Sequence, residues 1–389
     1  MDARRARAQS LSTSRSGVLL AAGLVAVAAV AAFGFGRLPG EMRDFEVYWT
    51  AAARALSSEP LYRVSDGHYQ FKYLPAFAVL TSPAALVPLP LAKAAWFVVS
   101  VALIAMLIAL SVALLPARRK ATWWLVLLMI VVMGKFYGHE LVLGQVNLAF
   151  AVIVLLGVLR LREGRIEAAA VLLVGAMVVK PYAVLMLPWL AWRAGIRAVI
   201  ATSVAVAAVL LLPAVLYGVG GTIELHRAWW TTVTASTAPN LTNADNVSLA
   251  GFFAKWLGGG SAATAATAVA GVGLVSAIAI LILRGTDVAR RETLEGALLL
   301  TAIPLLSPQG WDYVFLVATP AVALVVNDDR ELPPAFRIVS WAAILTIGLS
   351  LFDVMGRRRY GVFMEWSVIT ICFLVVVGAL AYLRMRRVA

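Results

Sequence analysis

Thirteen apolar runs divide this chain, at about residues 17–36, 74–88, 91–115, 121–137, 145–161, 166–179, 181–192, 197–217, 262–283, 293–307, 310–326, 335–352 and 366–383. A hydrocarbon core needs roughly 20 apolar residues per crossing helix. Backbone inside that core must satisfy its own hydrogen bonds, which leaves helices or closed barrels. The runs are continuous rather than alternating, so they exclude a barrel and predict an all-α polytopic membrane protein. Composition agrees, since only 14% of the 389 residues are charged, against about a quarter in soluble domains. A net charge of +13 would point to nucleic acid in a soluble protein. In a membrane chain it reads as a topological label, and no nucleic-acid partner is expected. The single cysteine, Cys372, lies in the last run and can form no disulfide within the chain.

The first run, Gly17 to Phe35, follows Arg4, Arg5, Arg7 and Arg15. It is longer than the apolar stretch of a secretory signal and reads as an uncleaved span. If all thirteen runs crossed, the "PARRK" cluster at Arg118, Arg119 and Lys120 would fall opposite the basic N-terminus, against the positive-inside rule. The run at 74–88 is short and carries Pro75, Pro83 and Pro88, each lacking a backbone donor and resisting a straight helix. It reads as re-entrant or interfacial, leaving about twelve crossings with both termini cytoplasmic. The cytoplasmic side then holds the N-terminal tail, "PARRK", "RLREGR", "WRAGIR", "LRGTDVARRE", "NDDRELPPAFR" and "RMRRVA", and most of the basic excess. One membrane-embedded domain, 1–389, is expected, with outer loops at 36–73 and 218–261.

Polar groups that are costly near a bilayer then sort to the outer face. They are Asp44, Glu46, His68, Lys72, Tyr73, Lys135, His139, Glu140, Gln145, Asn147, Lys180, Tyr182, His226, Asn243, Asp245, Asn246, Gln309, Trp311, Asp312 and Arg357 to Arg359. All three histidines and both long connections lie there, so a site would open outward.

Six stretches occur in the order "RDFEVYWTAAARAL", "FKYLPAFAVLTSPAALVPLP", "GHELVLGQVNLAF", "GAMVVKPYAVLMLPWL", "NADNVSLAGFF" and "LSPQGWDYVFL", between about residues 44 and 315. Together they resemble glycosyltransferase family 87, a bacterial branch of the membrane GT-C superfamily that includes polyprenol-phosphate-mannose-dependent α-1,2-mannosyltransferases. The sequence departs from the pattern after the Trp311-Asp312 pair, where Tyr313-Val314 replaces a His-rich continuation. The resemblance implies a GT-C fold and a hexosyltransferase of the bacterial plasma membrane. A sugar, mannose, would move with inversion from a polyprenyl-phosphate donor to a glycolipid or glycan acceptor at the periplasmic face. The first-loop acidic residue would be general base, and membrane lipids would be the remaining partners. No cofactor is implied, because the lipid-linked donor is itself a substrate.

Against that background Asp44 has two readings: a carboxylate that accepts the acceptor hydroxyl's proton, or an N-cap for the amphipathic segment after the first span. Glu46 completes a D-x-E as a secondary acidic residue. The departing phosphate calls for fixed positive charge, for which Lys180, His139, Lys72, His226, Arg357, Arg358 and Arg359 are the candidates. Lys180 precedes helix-breaking Pro181, which lets its ammonium face a cavity; the alternative is snorkelling to the interface. His139 is read in a short outer loop, where a lone histidine is more often structural. Gln145 and Asn147 of "GQVN", with Tyr182, Asn243, Asn246, Trp311 and Asp312, supply amides, acids and rings suited to sugar hydroxyls. Their plainer role is packing, or an aromatic belt at the interface. Asp44 and Glu46 are a thin ligand set for a divalent ion, and no metal site is assigned.

No H-E-x-x-H, clustered Cys/His set, P-loop or G-x-G-x-x-G after a strand occurs, so zinc hydrolysis, nucleotide-driven transport and dinucleotide chemistry lack support. The rivals are a secondary transporter and a lipid-binding membrane protein. Transporters place ionisable groups at the midplane of repeated halves; here they gather at one face, and no repeat is evident.

Overall fold

The computed structural model describes residues 41–284 and 291–386. The first apolar run, its basic tail, the start of the 36–73 loop and the last three residues lie outside the described residues. Apart from one isolated bridge between Asn246 and Trp311, the described chain is helical and loop structure. Five described helical segments are long and apolar enough to cross a membrane: Leu89–Ala113, Thr122–Leu143, Pro181–Leu211, Ser261–Leu283 and Val368–Met385.

In chain order the α-helices are α1 Arg43–Leu56, α2 Pro75–Thr81, α3 Leu89–Ala113, α4 Thr122–Leu143, α5 Asn147–Arg162, α6 Ile166–Val179, α7 Met186–Leu211 and α8 Ala214–Ala235. They continue with α9 Leu249–Leu257, α10 Ser261–Leu283, α11 Arg291–Leu306, α12 Thr319–Asn327, α13 Pro334–Leu349, α14 Phe352–Met355, α15 Arg357–Glu365 and α16 Val368–Met385. The prolines of 74–88 act as expected. Pro75 opens α2, Pro83 opens a 3-10 turn at Ser82–Leu86, and Pro88 precedes α3. The runs at 181–192 and 197–217 form one segment broken at Gly195, whose φ of 67° and ψ of −153° only glycine adopts freely. The 218–261 loop is largely helical: α8 breaks at Gly218 and continues to Ala235, and α9 follows.

Side-chain contacts tie the helix ends into two groups. At one end Arg119 binds Asp328 and Glu331, Lys120 binds Asp329, and Arg386 binds Glu331. Arg162 donates there to Leu114 O, and Arg197 pairs with Glu167. These residues belong to the basic segments that the charge count places together. The opposite helix ends carry other contacts: Lys135 to Ser350 Oγ at 2.6 Å, Tyr217 OH to Glu59 O at 2.8 Å, and Trp229 Nε1 to Lys72 O at 3.1 Å. Between the ends α11 and α12 form the buried centre, and Phe315 stacks on Phe373 with ring centroids 3.9 Å apart.

Glu295, 0% exposed, anchors the first end. It accepts from Arg193 Nε and Trp189 Nε1 at 2.8 Å each and from Arg384 Nε at 2.8 Å, with a further short contact to Arg193. Removing one partner of a buried pair leaves the rest uncompensated, at about 3–5 kcal/mol. Glu295→Ala is therefore expected to lower unfolding stability in detergent by about that amount, read by thermal or denaturant melts. A loss below about 1 kcal/mol would mean that solvent reaches the cluster.

Candidate active site

The site begins at a glycine. Gly144 ends α4 in the left-handed region, with φ of 68° and ψ of 34°, and its amide donates to Glu140 O at 2.9 Å, closing the helix as such caps do. A Cβ added there would lie 2.9 Å from the Cβ atoms of both Met42 and Phe45, so the start of α1 rests directly on the turn. Met42 N donates to Val142 O at 2.8 Å, and Trp96 Nε1 to Gly144 O at 3.1 Å. Gly144→Ala is expected to combine about 1–2 kcal/mol of left-handed strain with displacement of α1, lowering both melting temperature and transfer rate. Unchanged melting would show that α1 is not seated here.

α1 is amphipathic at the 3.6-residue period. Phe45, Tyr48, Ala51, Ala52 and Ala55 are buried, and the helix starts at Met42 without a side-chain cap. Asp44 therefore sits in the first turn and is not the N-cap. Its Oδ2 accepts from Gln145 Nε2 at 2.6 Å. Gln145 Oε1 in turn accepts from Tyr48 OH at 2.8 Å and Tyr73 OH at 3.2 Å. The two tyrosine hydroxyls lie 2.7 Å apart, and Lys180 Nζ donates to Tyr73 OH at 3.4 Å while standing 5.2 Å from its ring centroid. Gln145 Nε2 also donates to Tyr313 OH at 3.3 Å. The ring of Tyr313 packs edge-on against His139, 4.9 Å between centroids.

Burial raises the Asp44 carboxyl above the ordinary aspartate range. The Gln145 hydrogen bond and the charges of Lys180, His68 and His139 oppose this without reversing it. Burial lowers the Lys72 ammonium below the usual lysine range, against the pull of Asp44. Such a carboxylate is a stronger base than an exposed one, with cations close enough to share an anionic substrate.

Glu46 lies on the neighbouring stripe of α1. Its Oε1 accepts from Lys93 Nζ at 2.6 Å and its Oε2 from Arg43 at 3.2 Å. Burial raises its pKa, but Lys93 and Arg43 outweigh that and hold the carboxyl below the usual glutamate range. It anchors α1 to α3. The same stripe borders a groove of about 210 Å³ lined by Thr50, Tyr69 and the Arg54–Asp66 pair among others.

Other sequence candidates are placed differently. His139 is in the last turns of α4, not a loop, with Nδ1 3.6 Å from Asp312 Oδ1. Asp312 is buried and also accepts from Tyr313 N at 2.7 Å. Asn147 is 0% exposed and donates to Glu140 Oε2 at 2.7 Å, so it offers no surface to a sugar and takes the packing role. Asn246 is buried too. Its amide donates to Asn240 O and Pro308 O, and its Oδ1 accepts from Ser248 and Gly310, clamping the loop beside Trp311. Asn243 caps the Asp245 amide at 2.9 Å, and Tyr182 is exposed beside Lys180. His226 bonds Thr222 O of its own helix at 2.8 Å. Arg357 to Arg359 are exposed on α15 and make no ion pair among the described residues. No group of three or more His, Cys, Asp or Glu side chains among the described residues is arranged to hold a metal ion.

Sequence reasoning missed Tyr48 and Tyr313 and gave Tyr73 no role. Tyr48 was within reach, since i and i+4 share a helix face with Asp44. The Gln145 contacts join residues 97, 72 and 168 positions apart, and no local pattern signals them.

Helices of spanning length and apolar composition, with a half-buried carboxylate and lysines nearby, define a helical membrane protein. Residues 71–308, more than half of the chain, match glycosyltransferase family 87, and the chain belongs to that family. It is accordingly a membrane glycosyltransferase. The match covers Lys72, Tyr73, His139, Gln145 and Lys180, while Asp44 and Asp312 lie outside it. No curated protein and no solved structure matches the chain.

Proposed function

We propose that this protein is a twelve-span GT-C enzyme that transfers mannose, with inversion, from a polyprenyl-phosphate donor to a glycolipid or glycan acceptor. The site would face the periplasm of a bacterial plasma membrane. The observation that carries the reading is Asp44, a carboxylate of raised proton affinity joined through Gln145, Tyr48 and Tyr73 to the ammonium of Lys180. In the proposed step the acceptor oxygen bonds to the anomeric carbon from the face opposite the phosphate. The bond from that carbon to the phosphate oxygen breaks, the acceptor proton passes to Asp44, and the polyprenyl phosphate leaves as an anion. Lys180 would stabilise that anion, with Lys72 and His139 nearby. His226 and the Arg357 to Arg359 run would act at the periphery, on lipid phosphate. A cytoplasmic C-terminal end is supported by the basic segments meeting at one set of helix ends while Asp44 lies at the other; the twelve crossings and the cytoplasmic N-terminus rest on the charge count of the sequence.

The test presents purified protein in lipid nanodiscs with polyprenyl-phosphate mannose or a nucleotide sugar, together with candidate acceptor lipids. Transfer from the lipid donor alone, with an inverted anomeric centre by NMR, is expected. Transfer from the nucleotide sugar, or retained configuration, would refute the reading.

A further inference from the structure

We propose that Gln145 is a positioning residue that aims the Asp44 carboxylate and links it, through a one-way chain of hydrogen bonds, to Lys180. The proposal rests on the base role given to Asp44 above. Among the described residues Gln145 is the only side chain that donates a hydrogen bond to Asp44. That bond fixes Oδ2 and leaves Oδ1 without a donor, open to an acceptor hydroxyl.

The amide is locked from its other side. Its oxygen accepts from Tyr48 OH at 2.8 Å, and Tyr73 OH lies 3.2 Å from it. Burial keeps both phenols above their usual range, so they stay protonated and act as donors. Turning the amide over would set its oxygen against the Asp44 carboxylate and leave that carboxylate without its donor, while the phenol oxygens could still accept from the NH2, so the loss falls on the Asp44 bond. Gln145 and Tyr48 are buried, with the glutamine 7% exposed, so no water shell can compensate. With the single Tyr48 proton given to Gln145 Oε1, the hydroxyl contact must run from Tyr73 to Tyr48, so donation passes from Lys180 Nζ to Tyr73 OH, to Tyr48 OH, to Gln145 Oε1, and from Gln145 Nε2 to Asp44. Each link polarises the next toward the carboxylate. A negative phosphate arriving at Lys180 would draw on the same chain, which couples the donor end of the site to the base. An amide in this position carries information between two charges; it is not a free contact for sugar hydroxyls.

The titratable and charged groups facing Asp44 are Lys180, Lys72, His68 and His139, with the phenols of Tyr48, Tyr73 and Tyr313. None of them changes in Gln145→Leu, so the effect of the lost donor can be read alone. Loss of a bond to the ionised form raises the Asp44 pKa. A base works deprotonated, so the acid limb of the rate profile moves to higher pH.

The experiment measures kcat, donor KM and the pH profile for Gln145→Leu, Gln145→Glu, Tyr48→Phe and Asp44→Asn in nanodiscs with polyprenyl-phosphate mannose. For Gln145→Leu, kcat is expected to fall about 10- to 100-fold, the value of a hydrogen bond to a charged group. Its donor KM should stay within about twofold, and the acid limb should shift upward. Gln145→Glu, which sets carboxylate against carboxylate, is expected to be worse. Should the Gln145 variants fail to fold, Tyr48→Phe decides: a smaller shift of the limb in the same direction supports the chain, and an unmoved limb overturns it. A wild-type kcat and pH profile in Gln145→Leu beside an inactive Asp44→Asn overturns the inference alone. A rise confined to KM also overturns it, by making Gln145 a substrate contact. Full activity in Asp44→Asn overturns the base reading beneath it.

Discussion

Asp44→Asn should lower the transfer rate by about three orders of magnitude while leaving the protein folded, within the 10²- to 10⁴-fold range of positioned general bases. The substitution is nearly isosteric, and the asparagine oxygen can still accept from Gln145 Nε2, so the network around it keeps its shape. What it lacks is a site for the acceptor proton. Asparagine is also as good an N-cap as aspartate, and Met42 already occupies the cap position, so helix capping cannot account for a loss. The wild-type enzyme should lose activity as pH falls through the raised pKa of Asp44, at a higher pH than for an ordinary aspartate. The same shift bears on stability. A carboxyl whose folded pKa exceeds its unfolded value makes folding less favourable as pH rises between the two, so Asp44→Asn should melt no lower than wild type at neutral pH. Its loss would then be one of chemistry and not of fold.

Lys180→Met is the second large effect expected, with kcat/KM for the donor falling about 10²-fold, as when one fixed donor is removed from a developing anion. Lys180 sits in the break between α6 and the 3-10 turn Pro181–Leu185, with extended backbone at φ −138° and ψ 108°. Its ammonium is half-buried and has no ion-pair partner among the described residues; Tyr73 offers a hydroxyl and a ring. Its nearest carboxylates, Asp44 and Glu140, act on it only at a distance, which leaves its direct contacts open to a phosphate. Replacing it should therefore leave melting unchanged or raise it. Activity equal to wild type with lower melting would make Lys180 structural.

The helical membrane class was plain in the apolar runs because hydrocarbon imposes length and continuity on every crossing segment. Pro75, Pro83 and Pro88 likewise announced the broken segment at 74–88, and basic clusters announced which helix ends meet. Asp44, Lys180 and Lys72 stood out as charges beside apolar runs, and they do converge. Asn147, Asn246 and Glu46 were harder to place, since an amide or acid in a polar motif looks alike whether its partner is a substrate or Glu140, Pro308 or Lys93. Those partners lie 7, 62 and 47 residues away and are set by how the chain packs. The breaks at Gly195 and Gly218 fall where the sequence already ended apolar runs, in "WRAGIR" and at the start of the 218–261 loop; what it did not show is that helix resumes directly beyond each glycine.

The central claim, that Asp44 takes the acceptor proton during transfer from a lipid-phosphate sugar, is tested most directly by a single-turnover measurement. Wild type and Asp44→Asn are each loaded with polyprenyl-phosphate mannose in nanodiscs and then mixed with acceptor lipid. Product should form in the wild type at a rate that falls with acid, and about 10³-fold more slowly in the variant above the Asp44 titration, the gap narrowing as acid protonates Asp44 in the wild type. Equal rates in the two proteins would contradict the account.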